Sequence, residues 1–172
     1  MLNWAPFFVQ QDARLAPRPL STKQGIGDRL RTAAFAELQA EHAFVWAANT
    51  FSETFPELKK SWQHLAKEEA KHRSWLLNRL AELNQDIADR PVSDALWRSL
   101  VRCKSAKEFS FYMADAERRG QRAGERFFES LRDIDPSSAE IFQRIAIEEK
   151  SHIALATRFF PTLLVEKTRA TL

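Results

Sequence analysis

Apolar residues recur every three or four positions through most of the chain, which is the spacing of an amphipathic helix. Four long segments follow this pattern, and a shorter one, residues 94–103, lies between the second and the third. Apolar and polar residues nowhere alternate over the length of a strand, and the chain has only four glycines. The pattern predicts an all-α protein whose long helices cover residues 28–51, 56–83, 105–131 and 137–160.

Helix-start signals support these boundaries. Three helices begin near a serine or threonine that is followed three residues later by glutamate, which is the spacing of a capping box. The pairs are Thr54 with Glu57, Ser105 with Glu108, and Ser137 with Glu140. Pro161 stops the last helix because proline cannot continue the backbone hydrogen bonding.

The lengths of the connections predict the topology. Short connections join helices one and two, and helices three and four, so each pair should be antiparallel. The connection at 84–104 is long enough to run along the bundle, which makes helices two and three parallel, as in ferritin-like bundles. We therefore expect a basic and aromatic arm at 1–27, a ferritin-like four-helix bundle at 28–161 and a tail at 162–172.

The apolar stripe is interrupted at equivalent places in two helices. Glu69 and His72 occupy inner positions of helix two where the pattern requires apolar residues. Glu149 and His152 do the same in helix four, and each lies 80 residues after its counterpart. A repeated Glu-x-x-His at a fixed offset indicates an internal repeat of a two-helix unit.

The other two helices each carry a matching acid. Glu37 and Glu117 lie on the inner stripes of helices one and three and are also 80 residues apart. Burying four carboxylates is costly unless their charge is compensated, and two divalent cations would neutralise them. Imidazole with carboxylate oxygens suits iron or manganese better than magnesium or calcium. The spacing therefore predicts a two-metal site formed by Glu37, Glu69, His72, Glu117, Glu149 and His152.

Composition and charge indicate the cellular location of the protein and its possible partners. The single cysteine fits a reducing cytoplasm, and the first 20 residues lack the features of a signal peptide or a membrane span, so a cytoplasmic protein without a membrane partner is expected. The net charge of +3 equals the excess carried by residues 1–32. Such an arm can touch RNA, anionic lipid or an acidic partner. We favour a solvated arm packed down by Trp4, Phe7 and Phe8, with RNA at most a weak partner.

Four runs of the sequence are recognisable together. "AELQAEHAF", "KEEAKHRSWLLNRLAEL", "AERRG" and "EEKSHIALATRFF" resemble a bacterial ferritin-like family of unassigned function over residues 28–160. That family is similar to the di-iron tRNA hydroxylase that acts on isopentenylated adenosine, and more distantly to rubrerythrin and bacterioferritin. The resemblance implies two bound iron ions, with manganese or a mixed pair as alternatives, on the same six ligands.

Several residues near the predicted site have more than one interpretation. Glu41 is an additional ligand, an acid lining an access channel or, as we favour, an exposed residue. Glu68 and Glu148 point away from the ligands and are expected at the surface or beside the ligands. Gly120 and Gly124 either open space for O₂ or a substrate or allow close helix packing. Two aromatic residues, Trp46 and Tyr112, are redox-active if they lie near the metals.

Three classes of function remain open from the sequence. The favoured one is an O₂-activating di-iron oxidase or hydroxylase that acts on a small molecule or nucleoside with an external electron donor. The second is a ferritin-like iron oxidation and storage protein. The third is a structural or RNA-associated bundle in which the metals serve stability. A monomer or dimer is expected.

Overall fold

Five α-helices follow one another along the part of the chain that the computed structural model describes, residues 2–11, 15–51 and 55–161. Four are long and one is short, and the β pairing of the described residues is limited to an isolated bridge between Val9 and Val92. The helices are α1 (Lys23–Thr50), α2 (Pro56–Glu82), α3 (Ala95–Leu100), α4 (Ala106–Leu131) and α5 (Pro136–Phe159). The predicted all-α fold is confirmed.

Helices α1 and α2 form an antiparallel hairpin. At the end of α1, the ring of Phe51 packs against Trp62 near the start of α2, with centroids 6.4 Å apart. Further back in α1, Glu41 pairs with Arg73, which lies further along α2, at 2.7 Å. The two helices are therefore antiparallel, as the short connection between them predicts.

Helices α4 and α5 form the second antiparallel hairpin. Phe127 in α4 packs against Phe142 in α5 at 5.0 Å between ring centroids. Gln121, which precedes Phe127, donates a hydrogen bond of 3.2 Å to the carbonyl oxygen of Ala146, which follows Phe142.

The two hairpins meet along α2 and α5. Glu68 contacts His152 at 3.0 Å, and His72 contacts Glu148 at 2.8 Å, so α2 and α5 are antiparallel. It follows that α2 and α4 run parallel. The connection between them, which carries α3, crosses the length of the bundle, as in ferritin-like folds.

The first helix begins five residues earlier than the sequence pattern predicts. The side chain of Thr22 accepts a 3.0 Å hydrogen bond from the amide of Gly25 and caps the helix. Glycine has low helix propensity, so Gly25 and Gly27 are unusual in the first turns of a helix. Gly25 is required by a close approach, because an added Cβ would lie 1.8 Å from the carbonyl oxygen of Pro19.

The caps of the other helices correct one prediction and confirm another. Ser105 accepts a 3.1 Å hydrogen bond from the amide of Glu108, as predicted. The predicted cap at Ser137 is wrong, because Asp135 caps α5 by accepting from the amide of Ser138 at 3.3 Å. Pro136 takes the first helical position, where its missing N–H costs nothing, and this fixes the cap one residue before it. Thr54 lies outside the described residues.

The N-terminal segment packs against both α1 and the crossover. Trp4 meets Phe35 edge-on with centroids 5.3 Å apart, and Phe7 lies 5.0 Å from the same ring. Phe8, which was expected to pack down as well, is 50% exposed, because its backbone pairs with Val92 and turns its side chain outward. The amide of Val92 donates to the carbonyl oxygen of Phe8 at 2.9 Å.

Two arginines of this region, Arg18 and Arg31, belong to a partly buried ion network centred on Asp28. Asp28 accepts hydrogen bonds from Arg18 at 2.6 Å, Arg31 at 3.0 Å and Arg90 at 2.8 Å. Asp89 in the crossover also pairs with Arg18, at 2.5 Å. The network joins the N-terminal segment, α1 and the crossover. Asp12, Arg14 and the tail at 162–172 lie outside the described residues.

Two apolar clusters fill the bundle, one on each side of a polar layer. One includes Leu30, Leu80 and Leu131, and the other includes Trp62 and Phe109. The predicted metal-ligand positions fall between the two clusters along each long helix. Among the described helices, none is long and apolar enough to span a membrane.

Candidate metal centre

The layer between the two apolar clusters is built from one acidic position on each long helix. Glu69, Glu117 and Glu149 are buried, and the side chain of Glu37 is 12% exposed. Because Glu-x-x-His places both side chains on one helix face, His72 and His152 enter the layer from α2 and α5. Both imidazoles are buried. The structure thus brings together all six residues that the sequence predicts as ligands.

The six side chains form two overlapping groups. One comprises Glu37, Glu69, His72 and Glu149, and the other Glu69, Glu117, Glu149 and His152. Within each group, one potential ligand atom per residue lies within 4.8 Å of every other. Glu69 and Glu149 belong to both groups. The buried cluster can therefore hold a metal ion.

Both imidazoles turn their Nδ1 atoms toward the shared acids. His72 Nδ1 lies 3.5 Å from Glu149 Oε1 and 3.7 Å from Glu69 Oε2. His152 Nδ1 lies 2.8 Å from Glu69 Oε1 and 3.4 Å from Glu149 Oε2. The rings are stacked with centroids 5.7 Å apart and an interplanar angle of 21°.

The outer nitrogen of each imidazole is held by a glutamate from the opposite helix. His72 Nε2 lies 2.8 Å from Glu148 Oε2, and His152 Nε2 lies 3.0 Å from Glu68 Oε2. An ionised carboxylate only accepts, so each Nε2 is the donor. The lone pair of a neutral imidazole then lies on Nδ1, which faces the cluster. Carboxylates orient metal-binding histidines in this way.

Glu148 is itself held in the ionised form. Lys71 Nζ lies 2.6 Å from its Oε2. Burial raises the pKa of Glu148, but the hydrogen bonds from Lys71 and His72 outweigh burial and lower that pKa below its usual value. The acceptor for His72 is therefore charged near neutral pH.

Many cluster atoms make no hydrogen bond of good geometry with the described residues, although His152 Nδ1 and Glu69 Oε1 lie only 2.8 Å apart. They are both carboxylate oxygens of Glu69 and of Glu149, Oε1 of Glu117, and the Nδ1 atoms of His72 and His152. A buried polar group without a partner costs about 1–3 kcal/mol, and more if it is charged. All these atoms are metal-ligand types, so the donor set fits a bound metal ion.

The pKa values reflect the crowding of acids. Burial and the neighbouring carboxylates raise the pKa of Glu37 and of Glu117 well above the ordinary value. Burial lowers the pKa of His72, but Glu149, Glu37 and Glu69 outweigh it and raise that pKa to about 12. Burial also lowers the pKa of His152, but Glu149 and Glu69 outweigh burial and raise that pKa to about 10. Without a metal, protons therefore balance the cluster charge.

A cavity of about 480 Å³ opens onto the cluster between α1 and α4. Glu37, Glu117 and Glu149 form its inner end, and its walls are mostly small or apolar residues. A Cβ added to Gly120 would meet nothing within 4 Å, whereas one added to Gly124 would lie 3.1 Å from the carbonyl oxygen of Phe142. Gly120 therefore leaves open space, and Gly124 serves close packing.

Comparison with known protein families places the chain. The family model described as "Protein of unknown function (DUF455)" matches residues 5–171. The chain belongs to the DUF455 family. Neither the curated proteins nor the solved structures gave a match. The DUF455 match takes in the N-terminal segment and all five helices, and it carries no activity, so any function rests on the cluster and the cavity.

One expectation, that for Glu41, is wrong in this DUF455 protein. Glu41 is half-buried rather than exposed, because it pairs with Arg73 on α2. Trp46 packs against Phe51 and Phe109, and Tyr112 is 39% exposed. A different tryptophan contacts the cluster: the ring of Trp75 lies 5.5 Å from that of His72. Its place three residues after His72, on the same side of α2, was the signal for it in the sequence.

Proposed function

We propose that this protein binds two iron ions and activates O₂ as an oxidase or hydroxylase. Glu69 and Glu149 belong to both groups and would contribute ligands to both ions. Glu37 and His72 would complete one site, and Glu117 and His152 the other. The observation that carries the proposal is the pair of overlapping buried groups at the end of a cavity.

Charge balance supports two divalent ions. Four glutamates contribute −4 and two ions contribute +4, so with neutral imidazoles the buried layer becomes neutral. These six residues would hold two iron ions, which would supply the redox chemistry with O₂. Manganese or a mixed pair would satisfy the same ligands.

The surrounding residues divide the tasks. Glu148 and Glu68 fix the orientation of the two imidazoles on the side formed by α2 and α5. The cavity leaves the carboxylate side, formed by α1 and α4, accessible to O₂ and a substrate. A storage site needs no such space, so the cavity favours an enzyme over a ferritin-like storage protein.

The resemblance to the di-iron tRNA hydroxylase supports a hydroxylation of a small molecule or nucleoside. Hydroxylation consumes one O₂, two electrons and two protons, places one oxygen atom in the product and returns the other as water. An external electron donor is therefore part of the proposal. We further propose a cytoplasmic monomer or dimer.

Metal loading and reaction with O₂ test the proposal. We expect two ferrous ions per chain on anaerobic titration and an absorption change when air is admitted. His72→Ala should bind fewer ions, whereas Glu140→Gln, at an exposed position on α5, should match the parent. One ion or none would exclude the two-metal site. A large cage by native mass spectrometry would favour storage, and binding without an O₂ reaction would favour the metal-stabilised or RNA-associated bundle.

A further inference from the structure

The cavity between α1 and α4 has chemically opposite ends. Its inner end carries Glu37, Glu117 and Glu149. Its outer end is lined by Arg29, which lies eight residues before Glu37 on α1. At 1.5 Å per residue the two positions are about 12 Å apart along the helix. The cavity is therefore long enough for an extended group.

The walls between the two ends are mostly apolar, and Thr32 is the polar residue that α1 adds to them. Ala33 and Ala36 line the cavity from α1, and Gly120, Ala123 and Phe127 line it from α4. None of these apolar side chains donates or accepts a hydrogen bond. A volume of about 480 Å³ falls in the range of small-molecule sites. These walls favour a hydrocarbon chain over a sugar or a base.

Asp28 lines the outer end beside Arg29, but the arginines there outnumber the aspartates, so this end is electropositive. Arg29 Nη1 donates to the carbonyl oxygens of Arg18 at 2.6 Å and Gly25 at 3.2 Å, which leaves donors of its guanidinium for other partners. Among the described residues, no carboxylate forms an ion pair with Arg29. In the adjoining ion network, Asp28 and Asp89 already form ion pairs with other arginines. These arginines are Arg18, Arg31 and Arg90.

We propose that this cavity binds a substrate with an apolar chain and a terminal carboxylate. Arg29 binds the carboxylate, and the far end of the chain lies against the glutamate cluster. Arg29 attracts an anion, whereas the cluster at the inner end is close to neutral, so charge places the carboxylate at the outer end. The inference deepens the proposed function and rests on it for the role of the cluster, but binding itself needs no metal.

Calorimetric titration of metal-free protein tests the inference. The probes are decanoate, decan-1-ol and decyltrimethylammonium, all below micelle-forming concentrations. We expect decanoate to bind about tenfold or more tightly than the alcohol, because a charged hydrogen bond is added, and the cation to bind weakest. Arg29→Met should remove this preference while leaving the alcohol affinity within about threefold. Arg122→Met, at an exposed position of α4 outside the cavity wall, removes the same charge and should preserve the preference.

Gly120→Leu locates the site independently of Arg29. Its side chain should occupy the open space and weaken decanoate and decanol alike by about tenfold or more, whereas Gly120→Ala should change little. Decanoate affinity no greater than that of the alcohol would overturn the carboxylate assignment. If Gly120→Leu left the affinity for decanoate and decanol unchanged, the assignment of the binding site to this cavity would be overturned. This result counts even if Arg29→Met fails to fold. Because these titrations omit metal and the ferrous titration omits the probes, failure of one proposal is distinguishable from failure of the other.

Discussion

Glu68 and Glu148 each stand one residue before a cluster glutamate, and each holds the imidazole of the opposite helix. This reciprocal arrangement fixes both ring orientations before any metal binds. Removing one carboxylate leaves the ligand in place but frees its ring to rotate. Partners of this kind typically affect metal affinity by 10–100-fold.

Glu148→Gln should therefore weaken metal binding by about 10–100-fold without unfolding the protein. The amide keeps the size of the side chain but loses the charge that favours the Nε2–H tautomer of His72. Competitive titration with cobalt and a chelator measures the change, and Glu140→Gln is the matched control. Equal affinities for parent and Glu148→Gln would mean that the 2.8 Å contact does not orient the ligand.

The buried acids should reduce the stability of the metal-free fold. Replacing Glu37 and Glu117 together by leucine continues two apolar stripes and removes two of four crowded carboxyl groups. We expect the metal-free double variant to be more stable than the metal-free parent by about 2 kcal/mol, and to lose stabilisation by metal. Urea unfolding with and without metal tests both. A markedly less stable double variant would mean that these acids serve the fold.

At this scale the sequence predicted which residues meet but not all of their contacts. Ionisable side chains on an apolar stripe contradict the helix pattern, so Glu69 and His72 were visible without a structure. The cross-helix contacts of Glu68 and Glu148 depend on the register between α2 and α5. No periodicity along one helix sets that register, and the same limit explains the incorrect expectation for Glu41.

Within the helices, the two glycines of α4 have different roles. Gly120 borders open space and Gly124 borders the backbone of α5. Sequence alone could not separate them, because both lie near the inner face four residues apart. Similarly, the start of α5 was misplaced because a serine–glutamate pair resembled a capping box, while Asp135 lay in the position that Pro136 favours.

Alanine at these two positions should change stability in opposite directions. Gly120→Ala should stabilise the protein by about 0.5–1 kcal/mol, because alanine is the better helix former and its methyl group contacts nothing. Gly124→Ala gains the same propensity but presses on the carbonyl oxygen of Phe142, so it should be less stable than Gly120→Ala by about 1 kcal/mol or more. Paired urea unfolding curves measure the difference, and equal stabilities would contradict the assigned roles.

Across the whole molecule, the ion network at Asp28 joins the N-terminal segment, α1 and the crossover. Burial raises the pKa of Asp28, but hydrogen bonds from Arg18 and Arg90 outweigh it and hold that pKa well below the usual range. A lowered folded-state pKa stabilises the protein above the unfolded value of about 3.9. This stabilisation is lost as the pH falls below about 4.

Asp28→Asn should cost on the order of 3 kcal/mol at pH 7, because the buried Arg31 loses its closer carboxylate and keeps only Asp89, at 3.7 Å. As the pH falls from 5 to below about 4, the free energy of unfolding of the variant should also decrease less than that of the parent. Urea unfolding at several pH values measures both effects, with Asp133→Asn, 90% exposed, as the control. Parallel pH profiles for parent and Asp28→Asn would contradict the role of this carboxylate.

The bundle topology followed from connection lengths, but the cavity did not. A cavity forms where two neighbouring helices carry small residues and their axes diverge. The small residues are visible in the sequence, but the angle between the axes is not. The ion network was hidden for a related reason. Asp28 and Asp89 are distant in sequence, and the basic residues of the first 32 positions resembled a solvated arm until the crossover was placed beside them.

The contacts between the hairpins have the form of a symmetric dimer interface. His72 contacts Glu148, and the residues 80 positions away, His152 and Glu68, make the same contact with the two halves exchanged. In a two-fold symmetric pair of chains, residue i contacts j and j contacts i. The chain therefore has the geometry of two copies of one hairpin facing each other across a pseudo-two-fold axis, joined covalently by the crossover. That axis passes between Glu69 and Glu149, the two acids that both metal-binding groups share.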